Sequence, residues 1–265
     1  MRKKVAGKKR GRIVLGIVLG VLAVAAGAIG VLASKNVKAM NATVDAVLNE
    51  LRKHHTVTPR DAGAYEEIKI YGIMKFKAEQ YEIEGLGNLS IMRMNMGVMQ
   101  MATVVITPKE KNLPLLSADY IYVLGNRKAY LEFYDVVKEK DAAYEKLMTA
   151  LSVVVSEYDH LEDFEASAAW YEHLLTVDAY KSGKSKNDEE LKEMLADSLK
   201  VYLAHSEALP VLSAEEREEK LAITQAYTDG LVEKGGVSTD VFKKELGTEE
   251  TKKFFDKVFF GTKAE

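Results

Sequence analysis

The chain of 265 residues contains no cysteine. That absence excludes disulfides, a thiolate nucleophile, cysteine-ligated zinc or iron–sulfur centres, and acylation as a lipoprotein. Histidine is scarce, with five in all. His160, His173 and His205 form no His-x-x-x-His or comparable ligand pair, so no metal site is expected. No Gly-rich phosphate loop and no Ser/His/Asp signature occurs. Basic residues never alternate with aromatics in a stripe, which excludes nucleic acid as a partner. Internal repeats and low-complexity segments are absent too.

What is present begins with a charge asymmetry hidden inside a net charge of -3. Arg2, Lys3, Lys4, Lys8, Lys9, Arg10 and Arg12 precede residue 13 without an acidic residue among them. The next 21 residues, 13–33, carry no charged or strongly polar side chain, and at helical rise that length spans a bilayer's hydrocarbon core. The basic cluster before this run, against only Lys35 and Lys38 after it, predicts a cytoplasmic N-terminus and an extracytoplasmic remainder. Val31-Leu32-Ala33 before Ser34 offers a cleavage site as the alternative. The apolar region of a cleaved signal is shorter, about 7–15 residues, so the length favours an uncleaved single-pass anchor in the cell membrane. Gly16/Gly20 and Ala26/Gly30, small residues four apart, suit close packing of two such helices into a homodimer.

The expected organisation is a basic cytoplasmic tail over 1–12, a transmembrane anchor over 13–33, a juxtamembrane helix and linker over 34–64, and a globular domain over 65–265. Val37, Met40, Val44, Val47, Leu48 and Leu51 fall on one side of the juxtamembrane helix. Pro59 and Gly63 mark the boundary after it. Ile68 to Phe76 reads as one strand run and Tyr81-Ile83 as a second. Leu89 to Ile106 reads as a long central strand, apolar on both sides after Val98 and therefore covered on both faces. From Asp141 onward the chain reads as helical, near 141–158, 164–181, 188–208, 214–233, 239–246 and 249–260. Ser213 with Glu216 fits a capping box, and Gly247-Thr248 fits one helix ending and the next beginning. Strands first and helices after indicate an α+β fold, here a three-layer α/β/α sandwich around a central antiparallel sheet, preceded by the transmembrane helix.

The segment 112–135 carries the main candidate site. Two strand-like runs flank a turn, and with Gly125-Asn126 at the turn Asp119 faces Glu132. Alternation puts Ala118, Tyr120, Tyr122, Leu124, Ala129, Leu131 and Phe133 on a core face, and Ser117, Asp119, Ile121, Val123, Lys128, Tyr130, Glu132 and Tyr134 on the other. Two carboxylates under partial desolvation share a proton, which raises one pKa and yields an acid that works near neutral pH. A wet face solvated by Lys128 and the tyrosines is the alternative, since acid pairs also occur in structural networks. Met92, Met94, Met96, Met99 and Met101 make the central strand methionine-rich. Such side chains fill cores, and Met99 and Met101 also suit the lining of a pocket for a planar ligand.

Asn112-Leu113-Pro114-Leu115-Leu116-Ser117-Ala118-Asp119 resembles the segment of the ferredoxin-dependent bilin reductases in which a leucine-proline pair precedes a strand aspartate. Val241 to Gly247, with Phe254 or Phe255 and Val258-Phe259-Phe260, is similar to that family's closing helix, glycine and apolar ending. The resemblance spans roughly 65–265 and implies an α/β/α sandwich that binds a linear tetrapyrrole between sheet and helices. It implies no bound cofactor, an external ferredoxin-like one-electron donor, and Asp119 as the proton donor. Two family features are missing. Counting back places the histidine of the biliverdin-reducing branch at Ala102, and an Asn-Asp pair near the last helices falls at Gly235-Gly236, with Asp229 or Asp240 as the nearest substitutes.

Two readings result. The first is a membrane-anchored, bilin-reductase-like oxidoreductase with Asp119 and Glu132 catalytic and Lys128, Tyr130, Tyr134, Met99 and Met101 holding the tetrapyrrole or another planar molecule. In it Lys128, Arg127 or Arg93 pairs with the propionates, and the hairpin face argues for Lys128 and against Arg127. The second is a non-catalytic extracytoplasmic binding module that keeps only the fold.

Overall fold

The computed structural model describes residues 4–236 and 239–263, with the side chains of residues 4–26 and 28 outside it. Among these residues a first helix, α1 (Lys4–His54), leads to seven strands. They are β1 (Val57–Arg60), β2 (Glu67–Ile70), β3 (Met74–Ile83), β4 (Gly87–Asn95), β5 (Met99–Pro108), β6 (Leu115–Val123) and β7 (Asn126–Tyr134). Helix α2 (Ala142–Ser156) precedes β8 (Glu162–Asp163) and β9 (Leu175–Lys184). Then come α3 (Asp188–Ala208), α4 (Ala214–Lys234), α5 (Thr239–Leu246) and α6 (Thr248–Phe254), the last running into a π-helical turn at Phe255–Phe259. The strands make one antiparallel sheet in the order β1-β3-β4-β5-β6-β7-β9-β8, with β2 also pairing β3.

The fold is α+β, as expected, and the sheet is covered on both faces. Consecutive residues of β5 go to opposite sides: Val104 packs with Tyr120, Leu131 and helices α1 to α3, and Val105 with Met92, Tyr134 and helices α4 to α6. That is why the strand reads as continuously apolar. Helix α4 opens with the expected capping box, Glu216 N donating to Ser213 Oγ at 3.3 Å and Ser213 N to Glu216 Oε2 at 2.8 Å.

Four expectations are corrected. The run 89–106 is two strands, not one. It folds back at Met96 to Val98, where Gly97 takes φ +73° and Asn95 Oδ1 accepts from Gly97 N at 3.0 Å. A short side chain capping a left-handed glycine makes this turn, and hydrophobic pattern alone does not register it. Likewise, 68–76 is a hairpin: β2 and β3 meet at Tyr71-Gly72, and Phe76 and Tyr81 share one strand. The helix expected over 164–181 is instead a loop and strand β9. Val177 and Ala179 are buried while Thr176 and Asp178 are exposed, a period of two rather than 3.6. Finally, the helix expected within 34–64 is present as part of α1, but its apolar side and the segment after it are docked on the body. Met40, Val44, Val47, Leu48 and Leu51 are core residues, Thr43 Oγ1 meets the Tyr122 hydroxyl at 2.9 Å, and β1 pairs with β3.

The basic tail 1–12 and most of the proposed anchor 13–33 have side chains outside the described residues. Among the described residues no helix is long and apolar enough to cross a membrane.

Candidate functional site

The turn between β6 and β7 is Leu124-Gly125, with Leu124 at φ +52°, so Val123 pairs with Asn126. The register therefore differs by two residues from the expected one. Asp119 stands opposite Tyr130, and Glu132 opposite Ser117. A shift of two preserves side-chain parity, so Asp119 and Glu132 keep the same face and become diagonal neighbours. The residue directly across from Glu132 is another acid, Asp178 of β9.

This face forms the floor of a cavity of about 500 Å³. Its walls come from the loop after β8 through Phe164 and Tyr171, from α4 through Tyr227 and Leu231, and from Phe242, Phe255 and Phe260 near the C-terminus. The floor is held from behind. Tyr120, on the opposite side of β6, donates to the Leu191 carbonyl of α3 at 2.7 Å. Alternation then fixes Asp119 toward the cavity. The loop wall is held by Trp170, whose indole donates to the Gly235 carbonyl at 2.8 Å. A Cβ on Gly230 would come within 2.5 Å of that indole ring, so glycine is required for the close approach.

Asp119 accepts a hydrogen bond from the Thr103 hydroxyl. Burial raises its pKa, and the Thr103 bond partly opposes the rise. Glu132 accepts from the Tyr134 hydroxyl at 2.8 Å and the Tyr180 hydroxyl at 3.0 Å. Desolvation pushes its pKa up to about 7, with the charge of Asp119 adding to the rise and the tyrosine bonds offsetting part of it. Around these acids Tyr130 meets Phe164 at 4.9 Å between ring centroids, and Tyr134 meets Tyr227 at 4.9 Å and Tyr171 at 5.7 Å. Desolvation raises the phenol of Tyr171 to about 12 and those of Tyr134 and Tyr227 further, so these hydroxyls stay protonated. Among the described residues no lysine, arginine or histidine lines the cavity, whereas Glu165, Glu172 and Asp178 add to its acidity. Chemically this is an aromatic slot whose floor carries two carboxyl groups with raised pKa values, that of Glu132 reaching about 7.

Of the residues expected to form the site, Asp119, Glu132, Tyr130, Tyr134 and Met101 line the cavity together. Met99 does not; it packs against the adjoining core. Lys128 lies on the same face outside the lining, its Nζ 4.3 Å from the centre of the Phe164 ring. Arg127 is on the opposite face, buried against Asp188, and Arg93 pairs with Glu79. Ala102 is also on the opposite face, paired with Tyr120; the residue beside Asp119 on the neighbouring strand is Thr103. Asp229 pairs with Lys252, and neither it nor Asp240 lines the cavity, although Gly236 does. Trp170-Tyr171 sits in a loop rather than on a helix. Sequence reasoning missed Thr103, Phe164, Tyr171, Tyr180 and Tyr227. The alternation through Leu175 to Ser182 was the one available signal for Tyr180. Among the described residues no group of three or more potential ligands could hold a metal ion.

No family model and no curated protein sequence matches the chain. Among solved structures, the chain is similar to phytochromobilin synthase from tomato, crystallised in complex with biliverdin. The TM-score is 0.67 at 14% identity, over 83% of this chain and 82% of that one. At that identity the likeness is one of fold: this chain has the fold of that bilin-binding synthase.

Proposed function

We propose that the chain binds a linear tetrapyrrole in the cavity between the sheet and its C-terminal helices, with Asp119 as proton donor and Glu132 assisting. The carrying observation is the placement of two carboxyl groups on the floor of an aromatic slot, under conditions that favour their protonated forms. The fold shared with a biliverdin-bound synthase supports the same reading. Tyr130, Tyr134 and Met101 supply flat contacts, and Lys128 stands outside the lining where a propionate would emerge. In this reading reduction draws its electrons singly from an external ferredoxin-like donor, and its protons from the floor acids. The apolar run 13–33 serves as the membrane anchor, with the N-terminus cytoplasmic, the body extracytoplasmic and close helix pairing into a homodimer.

A binding module without turnover is the second reading, and Thr103 favours it. A threonine beside the aspartate can orient the carboxyl group but cannot serve as a second titrating group near neutral pH.

The test is a biliverdin titration of the full chain in detergent. A red-shifted or sharpened bilin spectrum that Asp119→Asn alters is expected, and an unchanged spectrum overturns the proposal. Turnover with a reduced ferredoxin system separates the enzyme from the module. A reporter fused to the C-terminus tests the topology.

A further inference from the structure

Three hairpin tips project from one end of the sheet. Ile70 pairs with Met74 at the β2–β3 tip, and Phe76 with Met94 toward the β4–β5 tip. Leu124 N donates to the Val98 carbonyl at 3.0 Å, joining the β4–β5 and β6–β7 tips. Helix α1 leaves the body at this same end. Lys35 and Lys38 flank one groove with Lys186, Lys192, Asp188 and Glu189, where Lys192 pairs with Glu189, and Ser185 N donates to the Gly125 carbonyl at 3.0 Å.

The tips are apolar where turns are ordinarily polar. Nine large apolar side chains are exposed among the described residues, and five of them, Tyr71, Ile73, Val98, Val123 and Leu124, sit on these tips. Ile73 is the most exposed of all, at 71%. Two more, Ile29 and Val31, lie on α1 as it departs. Scattered apolar residues need no explanation, but their concentration at one end does.

Backbone conformation points the same way. Among the described residues Tyr71 and Leu124 are the two non-glycine positions with positive φ, +52° each. Such positions favour glycine or asparagine, and a bulky side chain there is strained. In both places a turn that a polar residue would make at lower cost holds a large apolar one. Strain of this kind points to a role outside folding.

We propose that this end of the sheet is a membrane-contact surface, its three hairpin tips seated in the interface of an anionic bilayer around the departing helix. Lysines predominate around the apolar centre: Lys35, Lys38, Lys184 and Lys186 are exposed on one side, and on the other Lys244 stands over the Tyr71 ring at 5.3 Å beside Glu245, which accepts from Tyr71 N at 3.0 Å. An apolar centre with a basic margin is the composition that binds anionic headgroups. The 21-residue apolar run 13–33 belongs to the part of α1 that precedes Ser34 at this end.

The absence of cysteine allows a direct test. Single-cysteine variants of the full chain at Ile73, Val98 and Val211 are labelled with an environment-sensitive fluorophore. They are then added to vesicles of phosphatidylcholine with a minor share of phosphatidylglycerol, carrying spin-labelled acyl chains. Val211 is exposed at the opposite end, where Leu212 N meets the Glu110 carbonyl at 2.9 Å. Blue-shifted, quenched emission at 73 and 98 but not at 211 is expected. Equal quenching at all three sites, or none, overturns the proposal; so does a blue shift without lipid quenching, which would mean that a second copy covers the tips. Leu124→Asn and Tyr71→Asn serve as the second arm. Both are expected to keep or raise the thermal midpoint while lowering quenching at 98, and unchanged quenching in both variants also overturns the proposal.

Discussion

Thr103 of β5 and Asp119 of β6 are paired across the sheet, and the threonine hydroxyl donates to the aspartate carboxylate. That bond favours the charged form, while burial favours the neutral one, and burial is the larger influence. Thr103→Val removes the opposing influence. The loss of that bond to a charged acceptor is expected to move the Asp119 titration further up. Infrared difference spectra against Asp119→Asn read the carboxyl group directly. A midpoint that stays or falls would show that Thr103 does not tune this acid.

Glu132 gives the protein a pH-dependent stability. Its pKa rises from 4.5 to about 7 on folding, so the folded state binds the proton more tightly than the unfolded chain does. Stability is therefore greatest below the unfolded value and declines as pH rises through about 7. The decline amounts to roughly 3 kcal/mol at most. Glu132→Gln is expected to flatten urea midpoints measured on the acid and alkaline sides of neutrality and to stabilise the alkaline sample. A variant as pH-dependent as the parent would remove Glu132 from this role.

A chain beginning at residue 60 is expected not to fold. It lacks Met40, Val44, Val47, Leu48 and Leu51, all buried in the core. At about 1.5–3 kcal/mol per buried side chain the loss is roughly 7–15 kcal/mol, the size of a domain's whole net stability. A chain beginning at Ser34 keeps these contacts and is expected to unfold cooperatively. Near-ultraviolet dichroism and thermal melts of the two chains decide the matter.

Gly230→Ala is expected to cost about 1–3 kcal/mol, as overpacking does. The new methyl group meets the Trp170 ring and pushes the loop wall off α4. Trp170 is the single tryptophan, so its emission reports the displacement without a label. Unchanged emission and stability would mean that the loop yields freely.

The reach of the sequence can be judged from particular residues. The face assignment of Asp119, Tyr130, Glu132 and Tyr134 was legible because alternation along a strand depends only on parity. Register was not, because it turned on whether Leu124 or Asn126 occupied the turn, and a leucine at φ +52° contradicts local preference. Ala102 is reached by counting along the chain, whereas the neighbour of Asp119 is fixed by pairing and is Thr103. The split at Gly97 hid inside an apolar run. Strand β9 was obscured by the helix-like composition around Trp170 to His173, although the residues after Leu175 alternate plainly. Nothing local joins Tyr227 or Phe260 to Asp119; that meeting depends on tertiary packing.

Helix α1 has a mechanical consequence. From Ser34 to His54 it contains no glycine and no proline, and its second half is packed into the core against the sheet. The body thus rides on a stem without a swivel. A torque applied to α1 at Ser34 would be passed to the sheet through its core contacts and through Thr43, which meets the Tyr122 hydroxyl of β6.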